Sequence, residues 1–161
     1  MIDETYKDLA QLSVELVEAI KRTGIRVTGL RDRYAKMVMP LEGNVNHVGM
    51  MYAGSLFTLG EFTGGIISGV SFDISRFFPL VKEVSIKYVA PVTTDATLEF
   101  SFTEEEARRI QDEADEKGKA DFTLELEIKN ASDETAALVT GTWQIRKMSD
   151  EMRGMFKALV K

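Results

Sequence analysis

The sequence predicts an α+β fold, in which an antiparallel sheet wraps around one long central helix. The 30 residues from 43 to 72 carry one charged side chain, Glu61, and seven of the chain's twelve glycines. A helix in this stretch would be apolar or small on every face, which is typical of a helix buried in a core. Four later segments alternate apolar and polar residues, which is the pattern of antiparallel strands with one buried face.

A helix and a hairpin are expected before the central helix. Apolar residues recur at spacings of three and four within an N-terminal helix over 1–23, and Gly24 can supply its left-handed end. The apolar residues of this pattern are Leu9, Leu12, Leu16 and Ile20. Two strand-like runs at 25–30 and 34–39 are separated by the turn residues 31–33, which predicts a hairpin.

The central helix is expected to begin within residues 52–54 and to continue to about Ser68, and four strands follow it. The alternating segments lie at 84–88, 97–102, 122–128 and 137–145. A capping box that begins at Thr103 predicts an exposed helix over 104–117 between two of these strands.

The length of 161 residues predicts a single domain over 1–161. Its core is expected at 25–146, between the N-terminal helix and a C-terminal helix over 149–161. Ser149 can cap that last helix. The apolar stripe of the last helix would consist of Met152, Met155, Phe156 and Leu159.

The composition excludes several kinds of site. The chain has no cysteine, so a thiol nucleophile, a thiolate zinc site and an iron–sulfur cluster are excluded. Its one histidine, His47, excludes a multi-histidine metal site and disfavours a histidine-based catalytic relay. We therefore predict neither a metal nor a cofactor.

Charge and hydropathy limit the partners. The formal net charge is −6, whereas contacts to nucleic-acid phosphates need clustered cations. The acidic start Met1-Ile2-Asp3-Glu4 differs from a secretory signal, and even the least charged stretch is too polar to span a bilayer. We expect a cytoplasmic protein that binds neither nucleic acid nor a membrane.

Two motifs carry a resemblance to a known family. The first is Asn46-His47-Val48-Gly49, followed by Tyr52-Ala53-Gly54-Ser55-Leu56-Phe57 and Glu61; the second is Ile86-Lys87-Tyr88-Val89-Ala90-Pro91. With the strand order, they resemble the hotdog-fold superfamily, specifically acyl-CoA thioesterases of the phenylacetate-pathway type and their uncharacterised relatives. The resemblance covers about residues 25–146. It implies a hotdog fold and a homodimer or dimer of dimers, with the substrate at the interface.

The motifs depart from the family pattern at three places. The family's His-Gly before the helix glycine is Tyr52-Ala53 here, and the Arg before the strand-ending proline is Ala90. Some relatives carry Ser or Thr one turn after the acid, where this chain has Gly65. Chemistry that uses backbone groups remains available despite these changes.

The resemblance implies hydrolysis of an acyl-CoA thioester to a carboxylic acid and free coenzyme A. The N–H groups of Ala53 and Gly54 would donate to the thioester oxygen, because the first N–H groups of a helix have no intrahelical partner. Glu61 would attack the carbonyl as a nucleophile or deprotonate a water as a general base. Asn46 would bind that water or the carboxylate.

Three further residues, His47, Gly49 and Tyr52, are candidates for substrate binding, and each candidate also has a structural interpretation. Glu61 could reach solvent or cap a loop, and Asn46 could form an Asx turn. His47 could be a local hydrogen-bond donor, Gly49 could serve backbone geometry alone, and Tyr52 could pack in the core or against a partner subunit.

Two other functions stay open. A non-catalytic protein that binds acyl-CoA or acyl-carrier protein is compatible with the departures at Tyr52, Ala53 and Gly65. A hotdog dehydratase or hydratase would pair an acid with a histidine, but His47 precedes the helix without that motif. Assays of thioester hydrolysis and enoyl-CoA hydration distinguish these functions.

Overall fold

The computed structural model describes residues 1–159, with side chains described through Met155, and this part of the chain contains five α-helices, one 3-10 helix over Glu4–Tyr6 and six strands. The strands are β1 (Arg26–Arg31), β2 (Tyr34–Met39), β3 (Phe77–Tyr88), β4 (Ala96–Ser101), β5 (Lys119–Lys129) and β6 (Thr135–Lys147). The helices are α1 (Lys7–Glu15), α2 (Glu18–Thr23), α3 (Ala53–Ser71), α4 (Glu104–Lys117) and α5 (Asp150–Leu159).

The strands form one antiparallel sheet in the order β1-β2-β4-β5-β6-β3. α3 packs against β2 to β6, and α4 covers β5. The core includes the fully buried side chains of Leu59, Ile66, Ile67, Leu98, Leu124 and Trp143. The sheet therefore wraps around α3, as the sequence predicts.

α3 approaches β6 closely because two of its glycines face the sheet. Val139 lies against Gly60, where a Cβ would come within 2.8 Å of its Cγ2 atom. The indole of Trp143 lies against Gly64, and a Cβ there would overlap the ring. These contacts fix the distance between the helix and the sheet.

One stripe of α3 stays open in the single chain. Ala53 and Phe57 are exposed, and Glu61 and Gly65 are only partly buried. These residues recur every four positions and therefore share one face of the helix. The expectation that the helix is buried on every face is wrong for this stripe, because the sheet covers only the opposite side.

The N-terminal segment forms two short helices, so the prediction of one helix over 1–23 is wrong. α1 ends at Glu15, and Val17 has an extended backbone, with φ −109° and ψ 104°, before α2 begins. Val14 and Val17 are β-branched, which lowers helix propensity near the break. The new direction brings Ile20 into the core and leaves Leu16 and Val17 about half exposed.

β3 begins seven residues earlier than the predicted segment 84–88. The added part contains Pro79, which has no N–H to donate to a neighbouring strand. β3 is an edge strand that pairs only with β6, and proline is tolerated at an edge. The pairing shifts between Val81 and Glu83, so Lys82 is the additional residue of a bulge.

Two predicted helix caps are confirmed. The Thr103 hydroxyl accepts the N–H of Glu106 at 3.2 Å, and the Glu106 carboxylate accepts the N–H of Thr103 at 3.0 Å. Ser149 Oγ accepts a backbone N–H from the first turn of α5 at 3.2 Å. In the predicted apolar stripe of α5, the side chains of Phe156 and Leu159 lie outside the described residues.

Candidate active site

The first turn of α3 presents backbone N–H groups at the surface. Tyr52 precedes the helix with an extended backbone and no side-chain cap. Ser55 and Leu56 donate their N–H groups to the Tyr52 carbonyl at 3.0 and 3.3 Å. Helix geometry therefore leaves the N–H groups of Ala53 and Gly54 without an intrahelical acceptor. Both residues are accessible, so a ligand oxygen can approach them.

Two tyrosines flank this helix start. Tyr52 is 58% exposed, which is contrary to core packing, and its ring lies across Gly54. From β3, the Tyr88 hydroxyl donates to the Ala53 carbonyl oxygen at 2.9 Å. The Ala53 carbonyl and the Gly54 N–H belong to one planar peptide unit. The Tyr88 hydrogen bond therefore helps to orient one of the two candidate donors.

A buried asparagine that the sequence analysis did not select anchors the preceding loop. Asn44 Nδ2 donates to the carbonyls of Thr23 and Pro40 at 2.7 and 2.9 Å. Its Oδ1 atom accepts the Ser55 hydroxyl at 2.8 Å. Asn44 thus connects the end of α2, the end of β2 and the first turn of α3. Residue type alone does not separate it from Asn46, which lies in the same glycine-rich loop.

The other loop candidates lie beside the helix start. Asn46 Oδ1 accepts the N–H groups of Val48 and Met50 at 3.0 and 3.1 Å, as in an Asx-type turn. Gly49 has φ +80°, a left-handed conformation that favours glycine. His47 is exposed. Within residues 1–155, no hydrogen bond joins these side chains to Glu61.

Glu61 lies two turns further along α3, in a groove of about 530 Å³ that we call the Glu61 groove. The apolar residues that line it are Val17, Ala19, Ile20, Phe57, Val81 and Val84. Burial raises the pKa of the Glu61 carboxyl above its ordinary range. Lys82 also lines the groove, but its ammonium group pairs with Asp121 at 2.5 Å. Desolvation therefore dominates the electrostatics of Glu61.

The two parts of the candidate site are separated along α3. Ala53 and Glu61 are eight residues apart, which corresponds to about 12 Å along the helix axis. Reacting groups must come within about 3 Å of one carbonyl. The N–H groups and the carboxylate therefore act on the same carbonyl only if a second chain supplies one part.

Comparison with known proteins gives a match over most of the chain. The family model described as "Putative thioesterase (yiiD_Cterm)" matches residues 10–147. The chain belongs to this family. Among curated proteins, none matches this chain.

Solved structures share the fold of this thioesterase-family chain. A Pseudomonas aeruginosa protein of unknown function, described as a probable thioesterase, is 36% identical over 92% of this chain and 99% of its own, with a TM-score of 0.84. A Chlorobaculum tepidum protein of unknown function is 21% identical over 89% and 95% of the two chains, with a TM-score of 0.74. A Shewanella oneidensis protein described as a putative thioesterase is 20% identical over 89% and 98%, with a TM-score of 0.71. The predicted α+β hotdog fold is thus confirmed.

Within residues 1–159, no helix has the length and apolar character needed to cross a membrane. The same residues contain no group of three or more histidine and acidic side chains that could hold a metal ion.

Proposed function

We propose that the protein hydrolyses an acyl-CoA thioester to a carboxylic acid and free coenzyme A, with Glu61 as the reactive carboxylate. The observation that carries this proposal is the position of Glu61 in an apolar groove, where burial raises its pKa. An ionisable group held in a groove with a perturbed pKa is typical of a functional site. The family description and that of the Pseudomonas relative support thioester hydrolysis as the class of reaction.

The proposed reaction uses Glu61 as a general base. The carboxylate removes a proton from water, and the resulting hydroxide bonds to the thioester carbon while the carbonyl oxygen takes the negative charge. The N–H groups of Ala53 and Gly54 of a second copy of the chain donate to that oxygen, and the dipole of that helix adds to its stabilisation. The C–S bond then breaks, and the Glu61 carboxylic acid protonates the coenzyme A thiolate. In the nucleophilic alternative, the carboxylate itself bonds to the thioester carbon, and the C–S bond breaks to release the coenzyme A thiolate, which takes a proton from water. A second water then hydrolyses the resulting anhydride, which regenerates the Glu61 carboxylate and releases the carboxylic acid.

The loop residues have supporting roles in this proposal. Asn46 Oδ1 is occupied by two backbone N–H groups, so Asn46 would bind the water or the carboxylate through Nδ2. His47 and Tyr52 are exposed beside the helix start and would contact the acyl-CoA there. The positive φ of Gly49 makes it a determinant of loop geometry.

The proposal includes a second copy of the chain, as a homodimer or a dimer of dimers. β3 is an edge strand, and the unpaired N–H and C=O groups of an edge can pair with another strand. The side chains of Val81 and Tyr88 in β3, and of Val89 directly after it, are between 46% and 54% exposed. Exposed Phe57 lies on the open stripe of the neighbouring α3. Pairing through β3 would cover this apolar surface and bring the partner's helix start towards the Glu61 groove.

A panel of thioesters tests the reaction. Purified protein is mixed with short, medium, long and aromatic acyl-CoAs and with acyl-carrier-protein thioesters, and free thiol is measured. We expect thiol release from at least one acyl-CoA. Binding without release from any member would contradict the proposal and indicate a non-catalytic binding protein. Hydration of enoyl-CoA without thiol release would instead indicate a hydratase.

Mixed dimers test whether two chains share a site. Glu61→Gln removes the carboxylate, and Gly54→Val adds a side chain that meets the Tyr52 ring and crowds the helix start, where the ligand oxygen would approach. If each site combines Glu61 of one chain with the helix start of the other, half of the sites in a mixed dimer are intact. Two inactive variants then recover about a quarter of wild-type activity in a statistical mixture. No recovery would contradict a site that combines Glu61 of one chain with the helix start of the other, and Glu61→Gln mixed with itself is the control.

A further inference from the structure

We infer that the connection between α1 and α2 limits the length of the acyl chain, through Val17, and that the Glu61 groove accepts an uncharged acyl chain. This inference rests on the proposed thioesterase function, since it assigns a ligand to the same groove. It concerns residues that lie more than 35 positions before the central helix in the sequence, outside the motifs of the candidate site.

The walls of the Glu61 groove come from three parts of the chain. Phe57 belongs to α3 and Val81 to β3, whereas Val17 and Ile20 come from the α1–α2 connection and α2. The apolar lining next to a reactive carboxylate suits the hydrocarbon part of a thioester. Such a pocket gains affinity through apolar area removed from water.

The charges around the groove indicate an uncharged chain. Glu61 and Glu83 both line it, so a ligand carboxylate would meet two acidic groups. Among the described residues that line the groove, Lys82 is the one basic side chain, and it is paired with Asp121. An acyl chain that ends in a carboxylate would therefore lose its hydration without gaining a cationic partner.

Val17 is suited to a ligand contact because the fold does not use its side chain for the core. It is 50% exposed, has an extended backbone at the break between two helices, and lines the groove. Leu16, its neighbour, is 52% exposed but is not part of the groove lining. The two residues thus form a matched pair, and only substitutions of Val17 should change the binding of the ligand.

The test measures binding of coenzyme A thioethers with neutral alkyl chains of increasing length, which the protein cannot hydrolyse. Each buried methylene contributes about fourfold in affinity. In the wild-type protein, affinity should rise by about this factor per methylene until the chain reaches Val17, and then level off. In the Val17→Phe variant, the affinity should level off at a shorter alkyl chain. In the Val17→Ala variant, it should level off at a longer one. A thioether of matched length that ends in a carboxylate should bind at least tenfold more weakly.

Leu16→Phe and Leu16→Ala are the controls, and both should keep the wild-type length at which affinity levels off. The aromatic substitution at Val17 is compatible with folding, because extended backbone at a surface accommodates aromatic residues, and thermal unfolding verifies this. An unchanged limit in both Val17 variants, or an equal shift in the Leu16 variants, would overturn the inference. Equal or tighter binding of the carboxylate-ended chain would overturn the assignment of an uncharged ligand.

Binding and hydrolysis separate the two proposals. If thioethers show the length limit at Val17 but no acyl-CoA is hydrolysed, the groove assignment stands and the proposed catalysis fails. If acyl-CoAs are hydrolysed but the length limit does not respond to Val17, the proposed function stands and the groove assignment fails.

Discussion

The Glu61→Gln variant is expected to lose at least about 100-fold in kcat and, at neutral pH, to be more stable than the wild-type protein. Glutamine keeps the shape of glutamate but can neither remove a proton nor form a nucleophilic carboxylate. Stability should rise because an ionised carboxylate in the apolar groove is poorly hydrated, whereas a neutral amide avoids this cost. If Glu61 served only to stabilise the fold, Glu61→Gln would keep the wild-type kcat and would lower the stability.

The stability gain should depend on pH in a defined direction. Burial raises the pKa of Glu61 in the folded protein above its value in the unfolded chain. The stability that protonation provides is fully present below the unfolded pKa and is lost as pH rises through the folded pKa. The free energies of unfolding of wild type and Glu61→Gln should therefore diverge as pH rises through this window. Chemical denaturation at a series of pH values measures the difference.

The same titration should appear in the rate. As a base or nucleophile, Glu61 acts in its ionised form, so kcat should fall as pH drops through its raised pKa. The acidic limb of the rate profile should thus lie above the ordinary range of a glutamate. A limb at or below that range would contradict the assignment of Glu61.

Glu99→Gln provides a control of opposite sign. Its carboxylate accepts the Tyr34 hydroxyl at 2.7 Å, and this bond, followed by interactions with Lys36, lowers the pKa of Glu99. The stabilisation is present above the unfolded pKa and is lost as pH falls through the folded pKa. Glu99→Gln should therefore lose stability at neutral pH and retain kcat. If Glu61→Gln behaved in the same way, Glu61 would be a structural residue.

Much of the fold could be predicted because its signals are local. Alternation of apolar residues identifies β5 and β6, and the capping box at Thr103 identifies the start of α4. The break at Val17 and the passage of β3 through Pro79 depend instead on tertiary context. The break allows Ile20 to reach the core, and β3 can include Pro79 because it is an edge strand with a partner strand, β6, on one side only. Neither condition is visible in a local window of sequence.

The candidate site shows the same division. Glu61 stands out in the sequence because the residues around it carry no charge, and the structure places it in a groove. Asn44 was missed because its importance lies in contacts with Thr23 and Ser55, which belong to different helices. The contribution of Val17 to the groove was missed for a similar reason, since no periodic pattern relates it to α3.

Gly64→Ala is expected to destabilise the protein by about 2 kcal/mol, although alanine favours a helix. The added Cβ would overlap the buried indole of Trp143. That ring has little room to move, because it stacks on Phe122 with centroids 6.4 Å apart and lies over Gly141. Overpacking of this severity costs about 3 kcal/mol, whereas alanine gains at most about 1 kcal/mol over glycine in a helix. The overlap therefore decides the sign.

Gly65→Ala is the matched control, one residue further along α3. A Cβ at Gly65 meets no atom within 4 Å, so only the helix preference acts, and stability should rise by up to about 1 kcal/mol. In thermal unfolding, Gly64→Ala should lower Tm by about 4–8 °C, and Gly65→Ala should raise it by about 2–4 °C. Equal stability of the two variants would contradict the close contact between α3 and Trp143.

Trp143→Phe in the Gly64→Ala background tests the contact itself. Among the described residues, Trp143 Nε1 has no hydrogen-bond partner, so phenylalanine gives up packing but no hydrogen bond. When residue 64 is glycine, the smaller phenylalanine ring leaves a gap beside it. When residue 64 is alanine, the same gap has room for the alanine Cβ. The double variant should therefore be more stable than the sum of the single changes implies, by about 1–2 kcal/mol. Because Glu61 precedes Gly64 by less than one helical turn, kcat should fall in Gly64→Ala and recover in part when the helix returns to its place.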